Sequence, residues 1–503
     1  MTVPSDPEIP PITSLASTPG SVSPTSTDTR FFGHPRALAH LFGVEMWERF
    51  SFYGMLGILA IYIYYSTRDG GLGLSESAAT SVVGAYGGTV YLSTIVGAWI
   101  ADRLLGSERT LFYSAILIMF GHVSLAVLPG AAGLGVGLTL VALGSGGLKG
   151  NTTAVVGTLY SERDQRRDSG FTIFYIGVNL GAFVGQLLTG WVQREVGFHY
   201  GFGLAAVGMA LGLIQYSFGR KELSDAARRV PDPLPANRRL VAALVGIVVA
   251  LAVVVVALTG VVTVENLSDT VIWVSSTAAG ILILIMVTSK KVTTIERRRV
   301  FSFIPLFVSS FAFWALYQQI FTVVTIYADK RLDRRLFGWE TPVSWATSID
   351  PVFIVLLGGV FAAMWVKLGN RQPTTPVKFA LGTILVGLGF WLFLPTAGGG
   401  PHSTPFIALA GILLVFTLGE LMLSPVGLSV STKLAPKAFG AQMVALNFLS
   451  VALGTALSGS LAKYYTADHE FAYFGVVGGV CVAIGLLVAA TSPITRKLMS
   501  GVR

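Results

Sequence analysis

Fourteen apolar stretches limit what this chain can fold into. They fall near residues 41–65, 78–101, 110–128, 132–158, 170–192, 200–218, 240–262, 270–288, 301–327, 343–366, 376–394, 405–432, 439–462 and 471–491. Each is about long enough, as a helix, to cross a hydrocarbon core of roughly 30 Å. A soluble chain of 503 residues would divide into two or three domains, with about 25% of its residues charged. Here only 12% are charged and 53% are hydrophobic, so the chain reads as an all-α integral membrane protein with 14 transmembrane helices. Its 58 glycines suit such helices, where they permit close approach. A single cysteine, Cys481, excludes an intramolecular disulfide and a cysteine metal site.

Lys and Arg placement sets the orientation. With the amino terminus inside, cytoplasmic segments carry 26 of the 35 basic residues. Extracellular segments carry seven (Arg68, Arg194, Lys330, Arg331, Arg334, Arg335 and Lys463), and Arg49 and Lys149 lie within spans. An even helix count then places both termini in the cytoplasm, as expected of a multi-pass protein of the cell inner (plasma) membrane. Residues 1–35 read as a disordered cytoplasmic tail. The first 30 contain six Pro, six Ser and six Thr, without the apolar core of a signal peptide. The loops at 220–239 and 290–299 are densely basic and flank the seventh and eighth segments, which lack charge in their apolar cores. These two helices are read as lipid-facing, with their basic loops resting near anionic headgroups. No nucleic-acid partner is expected, because the loops lack interleaved aromatics.

Setting that pair aside leaves six helices plus six. The run Gly97-Ala-Trp-Ile-Ala-Asp102-Arg103-Leu-Leu-Gly106-Ser-Glu-Arg109 resembles the cytoplasmic loop of the major facilitator superfamily. A weaker echo, Trp365-Val-Lys367-Leu-Gly369-Asn-Arg371, lies at the matching place in the second half. A repeated half is the construction of alternating-access transporters. The resemblance implies two six-helix bundles, at 36–219 and 300–495. Between them, 220–299 forms a linker with two inserted transmembrane helices, and 496–503 is a short cytoplasmic tail. It also makes Asp102 and Arg103 part of a cytoplasmic gate loop.

Charges inside spans are costly and mark ion or substrate pathways by default. Glu45, Glu48 and Arg49 share one helix face by their i, i+3, i+4 spacing. With both acids ionised the triplet carries −1, and one bound proton makes it neutral, which suits a carboxylate that loads and unloads a proton. The alternative is an ion triplet that only locks a helix contact. Lys149 lies in the glycine-rich run Gly144–Asn151, where an ammonium could meet a substrate carboxylate or discharge a glutamate. Glu420 and Asp350 belong to the second half. A zwitterion with separated termini would fit between such groups. Asp350 precedes Pro351 and reads equally as a helix N-cap. His122 reads as a packing residue in preference to a proton relay.

The chain resembles the proton-dependent oligopeptide transporter family from about Phe42 to the last segment. The run from Gly43 to Gly54 is similar to the family's Glu-x-x-Glu-Arg-Phe motif, and Gly97 to Gly121 to its first signature. Phe171 to Phe183 resembles the second signature, and Leu418 to Gly427 the tenth-helix motif. The inserted helix pair resembles that of bacterial members. The resemblance implies proton-coupled import of di- and tripeptides by alternating access. Glu45, Glu48, Arg49, Lys149 and Asp350 would couple protons. Glu420 and Asn179 would hold the peptide amino terminus, and Lys149 would face its carboxylate. Tyr53, Tyr91 and Trp314 would line the cavity, joined by Gln318, Asp350, Ser424 and Asn447. No cofactor or metal is expected, the proton gradient being the drive, and a monomer in the bilayer would suffice.

There are departures. Family members often carry an arginine three residues after the motif tyrosine and a glutamate four after the seventh-helix tryptophan; here these are Leu56 and Gln318. Losing both together avoids a lone buried charge. An often-asparagine position is Asp350, and Asn447 stands where a tryptophan is expected beside Phe448. The second-half carboxylate would then have moved one helix along, to Asp350, which would share peptide amino-terminus binding with Glu420 or titrate. Competing readings are a proton-coupled carrier of another zwitterionic or anionic solute, and a nutrient receptor with vestigial transport. Metal-ligand spacing, a phosphate loop and a nucleophile constellation are all missing, so no enzyme is expected.

Overall fold

The computed structural model describes residues 28–161, 164, 166–336 and 338–502. Most of the tail at 1–35 lies outside these. Fourteen long helices follow: α1 (Arg36–Tyr64), α2 (Glu76–Ile100), α3 (Ser107–Val127), α4 (Gly130–Gly157), α5 (Arg167–Glu195), α6 (Phe198–Gly219) and α7 (Ala236–Leu258). The rest are α8 (Leu267–Thr288), α9 (Thr294–Tyr317), α10 (Ile349–Leu368), α11 (Thr375–Trp391), α12 (Phe406–Leu434), α13 (Gly440–Ala462) and α14 (Glu470–Leu498). Thirteen of the described helices are long and apolar enough to cross a membrane. The remaining long helix, α1, has 29 residues and carries Glu45, Glu48 and Arg49, which lower its hydropathy. Polar caps mark two of the starts. Ser75 accepts from the Ala78 N–H, and Thr293 and Glu296 form a capping box at α9. Beyond Tyr317, α9 breaks into a 3₁₀ turn (Gln318–Phe321) and resumes as a short helix, Val323–Lys330.

The helices α1–α6 pack as one bundle, with α1 against α5 and α6, and α3 against α4 and α6. In the second bundle α9 packs on α13 and α14, α11 on α14 and α12, and α10 on α12. The bundles meet where α2 lies on α13 and α5 on α10. Glycine makes the first contact possible, since a Cβ on Gly84 would stand 2.7 Å from the Gly459 Cα.

The inserted pair is not uniform, which corrects the expectation of two lipid-facing helices. No residue of α7 is buried. One face of α8 is buried at Ser268, Val271, Ser275, Ala279 and Met286. The Ser268 hydroxyl donates to the Ser81 carbonyl at 2.6 Å, and Lys463 Nζ donates to Asp269 at 2.6 Å. So α8 lies along the α2–α13 contact and bonds to both partners.

The end of the molecule opposite the termini is sealed across the bundles. Tyr64 and Tyr65 of α1 donate to the two oxygens of Asp329 at 2.6 and 2.7 Å. Arg334 lies 3.8 Å from Asp329 and 2.9 Å from Glu340. Lys330 pairs with Glu76, and the Ser344 hydroxyl and Trp345 indole donate to the Gln186 and Leu187 carbonyls. Asp329→Asn or Gly84→Val should loosen this seal. With a thiol introduced by Leu56→Cys, labelling by an impermeant maleimide from the sealed side should rise several-fold in either background. The native Cys481 is 1% exposed and stays silent. An unchanged labelling rate would refute the seal.

Candidate functional site

Between the bundles lies a cavity of ≈290 Å³, close to the lower end of ordinary ligand pockets. Its two walls differ in charge. The first bundle contributes Arg49 and Tyr53 from α1, Tyr91 from α2, Lys149 from α4 and Asn179 from α5. The second contributes Trp314, Tyr317 and Gln318, then Asp350 from α10 and Glu420 and Ser424 from α12. Asn447 stands in an adjoining cavity of ≈180 Å³ that shares Tyr91, Trp314 and Ser424 with the first.

The α1 triplet sits at the root of the first wall. Arg49 Nη2 lies 2.6 Å from Glu45 Oε1, and Nε lies 3.2 Å from Glu48 Oε2. Both acids are fully buried, at 2% and 0% exposure. Ser145 of α4 donates to the other Glu48 oxygen at 3.2 Å. One guanidinium therefore serves two carboxyl groups, as the sequence spacing implies.

Lys149 is held differently. Its ammonium lies over the Phe52 ring at 4.4 Å and the Tyr91 ring at 4.8 Å. Among the described residues it makes no ion pair. Aromatic faces attract a cation more weakly than a carboxylate does, so this charge remains available to an incoming anion.

The second wall holds the acids. Asp350 occupies the second position of α10 and does not cap it. Its carboxyl lies 2.7 Å from the Tyr317 hydroxyl and 2.8 Å from that of Thr417, and it lines the cavity, which decides between the two readings of this residue in favour of a cavity group. Glu420 also meets the Tyr317 hydroxyl, at 2.5 Å. Leu56 and Gln318 line one small cavity together with Phe52, Tyr53 and Phe321. A neutral, mainly apolar and aromatic enclosure thus occupies the place where the family often has an ion pair.

Tyr317 and Tyr175 line the cavity without having been singled out in the sequence. The spacing of Tyr317 three residues after Trp314 puts it on the same helix face and was the one available clue. Asp102 and Arg103 do not reach the cavity. They sit in a π-helical turn after α2 and engage the linker: Arg103 pairs with Asp232 at 2.5 Å, and the Asp232 N–H donates to the Asp102 carbonyl. His122 is fully buried outside the cavity, and among the described residues neither ring nitrogen is hydrogen-bonded.

The sequence and the fold both match known proteins. The model of the POT family matches residues 108–477. An uncharacterized transporter, YclF, of Bacillus subtilis is 43% identical, covering 94% of this chain and 96% of that one. A di-/tripeptide transporter of Lactococcus lactis subsp. cremoris is 40% identical, over 95% of this chain and 99% of that one. A crystal structure of a peptide transporter POT in complex with sulfate superposes with a TM-score of 0.89 at 44% identity, covering 94% of this chain and 98% of that one. Two walls of opposite charge between paired helix bundles, and relatives matching nearly end to end, lead to one assignment: the chain belongs to the POT family.

Proposed function

We propose that this chain is a proton-coupled symporter that imports di- and tripeptides by alternating access in the cell membrane. One observation carries the reading: Lys149, an ammonium with no ion pair among the described residues, and the acids Asp350 and Glu420 line opposite walls of one cavity. A short peptide is a zwitterion whose ends are fixed and whose side chains vary. Fixed charges can read the ends while Tyr53, Tyr91 and Trp314 accept varied side chains. Lys149 faces the peptide carboxylate, and Glu420, with Asn179, faces its ammonium. The names of the relatives support the same substrate class.

In this reading both termini are cytoplasmic, so the sealed end is extracellular and the structure is inward-facing. The Glu45–Glu48–Arg49 triplet carries one driving proton, and the second wall offers Asp350 as a further proton site. Glu48, touching both Arg49 and Ser145, couples its protonation to the packing of α1 on α4. No cofactor takes part, and a monomer in the bilayer is sufficient. The intact set of buried charges disfavours a receptor with vestigial transport, which would need no proton carrier.

Liposomes test this directly. The purified protein should exchange dipeptide in counterflow and concentrate it under an inward proton gradient; counterflow alone would indicate a facilitator, and neither a sensor. Glu48→Gln should abolish concentration against a gradient, and retained concentration would remove Glu48 from the coupling role. Lys149→Gln should raise the apparent KM for dipeptides by about 10- to 100-fold, the scale of a lost charge-assisted hydrogen bond. Peptides amidated at the carboxyl end should be little affected by that change. An equal loss for both would show that Lys149 does not read the carboxylate.

A further inference from the structure

One hydroxyl serves two acids in the second wall. Tyr317 Oη lies 2.7 Å from Asp350 Oδ2 and 2.5 Å from Glu420 Oε2. A phenol has one proton to donate. If both carboxyls were ionised, one of these contacts would set two oxygens together with no hydrogen between them. All three oxygens are satisfied only when a second proton sits on one acid, so that the tyrosine donates to the carboxylate and accepts from the carboxylic acid. Close carboxyl groups in a dry site favour the same count, because both cannot ionise cheaply.

The surroundings divide the roles. Asp350 is 7% exposed, and its other oxygen lies 2.8 Å from the Thr417 hydroxyl, which itself reaches the Leu413 carbonyl at 2.9 Å. Glu420 is less deeply buried and faces the cavity, with Tyr317 its hydrogen-bond partner among the described residues. The remaining groups facing the pair come from the other elements around the cavity. Tyr175 and Asn179 lie on α5, Arg49 and Tyr53 on α1, Tyr91 on α2 and Lys149 on α4. Gln318 beside Tyr317 is neutral, and among the described residues α11 and α13 place no titratable side chain in this wall. Both cations therefore belong to the opposite bundle.

We propose that Tyr317 joins Asp350 and Glu420 into a pair that holds a single proton. Asp350 keeps the proton, and Glu420 remains charged toward the peptide ammonium. On release the proton passes from Asp350 to cavity water, Tyr317 keeps its own hydrogen, and the pair goes from one negative charge to two. Once the peptide has left, that doubly charged pair faces Arg49 and Lys149 and draws the walls together. Tyr317 is a positioning residue, acting through the two acids. The coupling role rests on the transport reading given above; the proton count does not.

Infrared difference spectroscopy of the purified full-length protein tests the count without substrate. Asp350→Asn and Glu420→Gln should each remove the same protonated-carboxyl C=O band near neutral pH, because either change leaves the other acid ionised on Tyr317. The double variant should remove no more. Separate bands lost additively, or no band lost, would overturn the shared proton. Uptake tests the consequence. Tyr317→Phe should move the alkaline limb of the gradient-driven profile to lower pH by up to about one unit, the scale of one hydrogen bond. A uniform loss of rate with an unmoved limb would reduce Tyr317 to a packing residue. Asp350→Asn should abolish the limb, and a profile like that of the unaltered protein would refute the assignment of the proton to Asp350. Counterflow by the unaltered protein checks peptide transport on its own, so failure of that reading is distinguishable from failure of this one.

Discussion

A guanidinium inside a membrane protein must be compensated where it lies, and the first bundle is assembled around that requirement at Arg49. Its two acids come from its own helix, but burying the triplet needs neighbours that come very near. On α5, a Cβ at Gly181 would stand 3.1 Å from the Arg49 Cβ, and one at Gly185 would stand 2.8 Å from the Phe50 Cα. These glycines let α5 press on α1 at the level of the charges, while α4 supplies Ser145 to Glu48. The second signature run, Phe171 to Phe183, contains one of them, so its glycine has a steric reason tied to the ion triplet of the first motif.

The second bundle solves the opposite problem, acids without a resident cation. Among the described residues, no basic residue of that bundle lines the cavity. Hydroxyl groups from Tyr317 and Thr417 take the place of a counter-ion. Hydroxyls stabilise a carboxyl group without cancelling its charge, which leaves a net demand for a cation or a proton in that wall. Replacement of the family's frequent ion pair by Leu56 and Gln318 fits this division, because it removes a cation from the neighbourhood along with the acid.

Much of this was legible because charge is scarce in the chain. Glu45, Glu48, Arg49, Lys149, Asp350 and Glu420 stand out in apolar runs, and all six line the cavity or pair with a residue that does; only Asp350 is ambiguous from sequence. A local pattern, acid before proline, is common to a cap and to a site; only the position of Tyr317, 33 residues away, separates them. Tyr317 itself was hidden by its setting. In an apolar helix a tyrosine reads as wall, and its second partner lies 103 residues further along the chain. Docking of α8 was hidden for a related reason: one bond is made by serine, a residue too weakly polar to stand out in a span, the other by Asp269 at the helix start, outside the apolar core, and the rest of the buried face is small and apolar.

The contrast within the inserted pair carries a topological consequence. Only α8 touches the machinery, yet α7, with no buried residue, is always beside it in the chain. A chain that leaves the first bundle on one side of the membrane and must begin the second on that same side can add spans only in even numbers. One extra helix would invert the second bundle, exchanging its sealed end for its open one and turning its acids' approach to the wrong compartment. A helix with nothing to pack against is thus the return stroke that lets α8 be present at all, and its sequence is constrained by lipid and by parity, not by any neighbour.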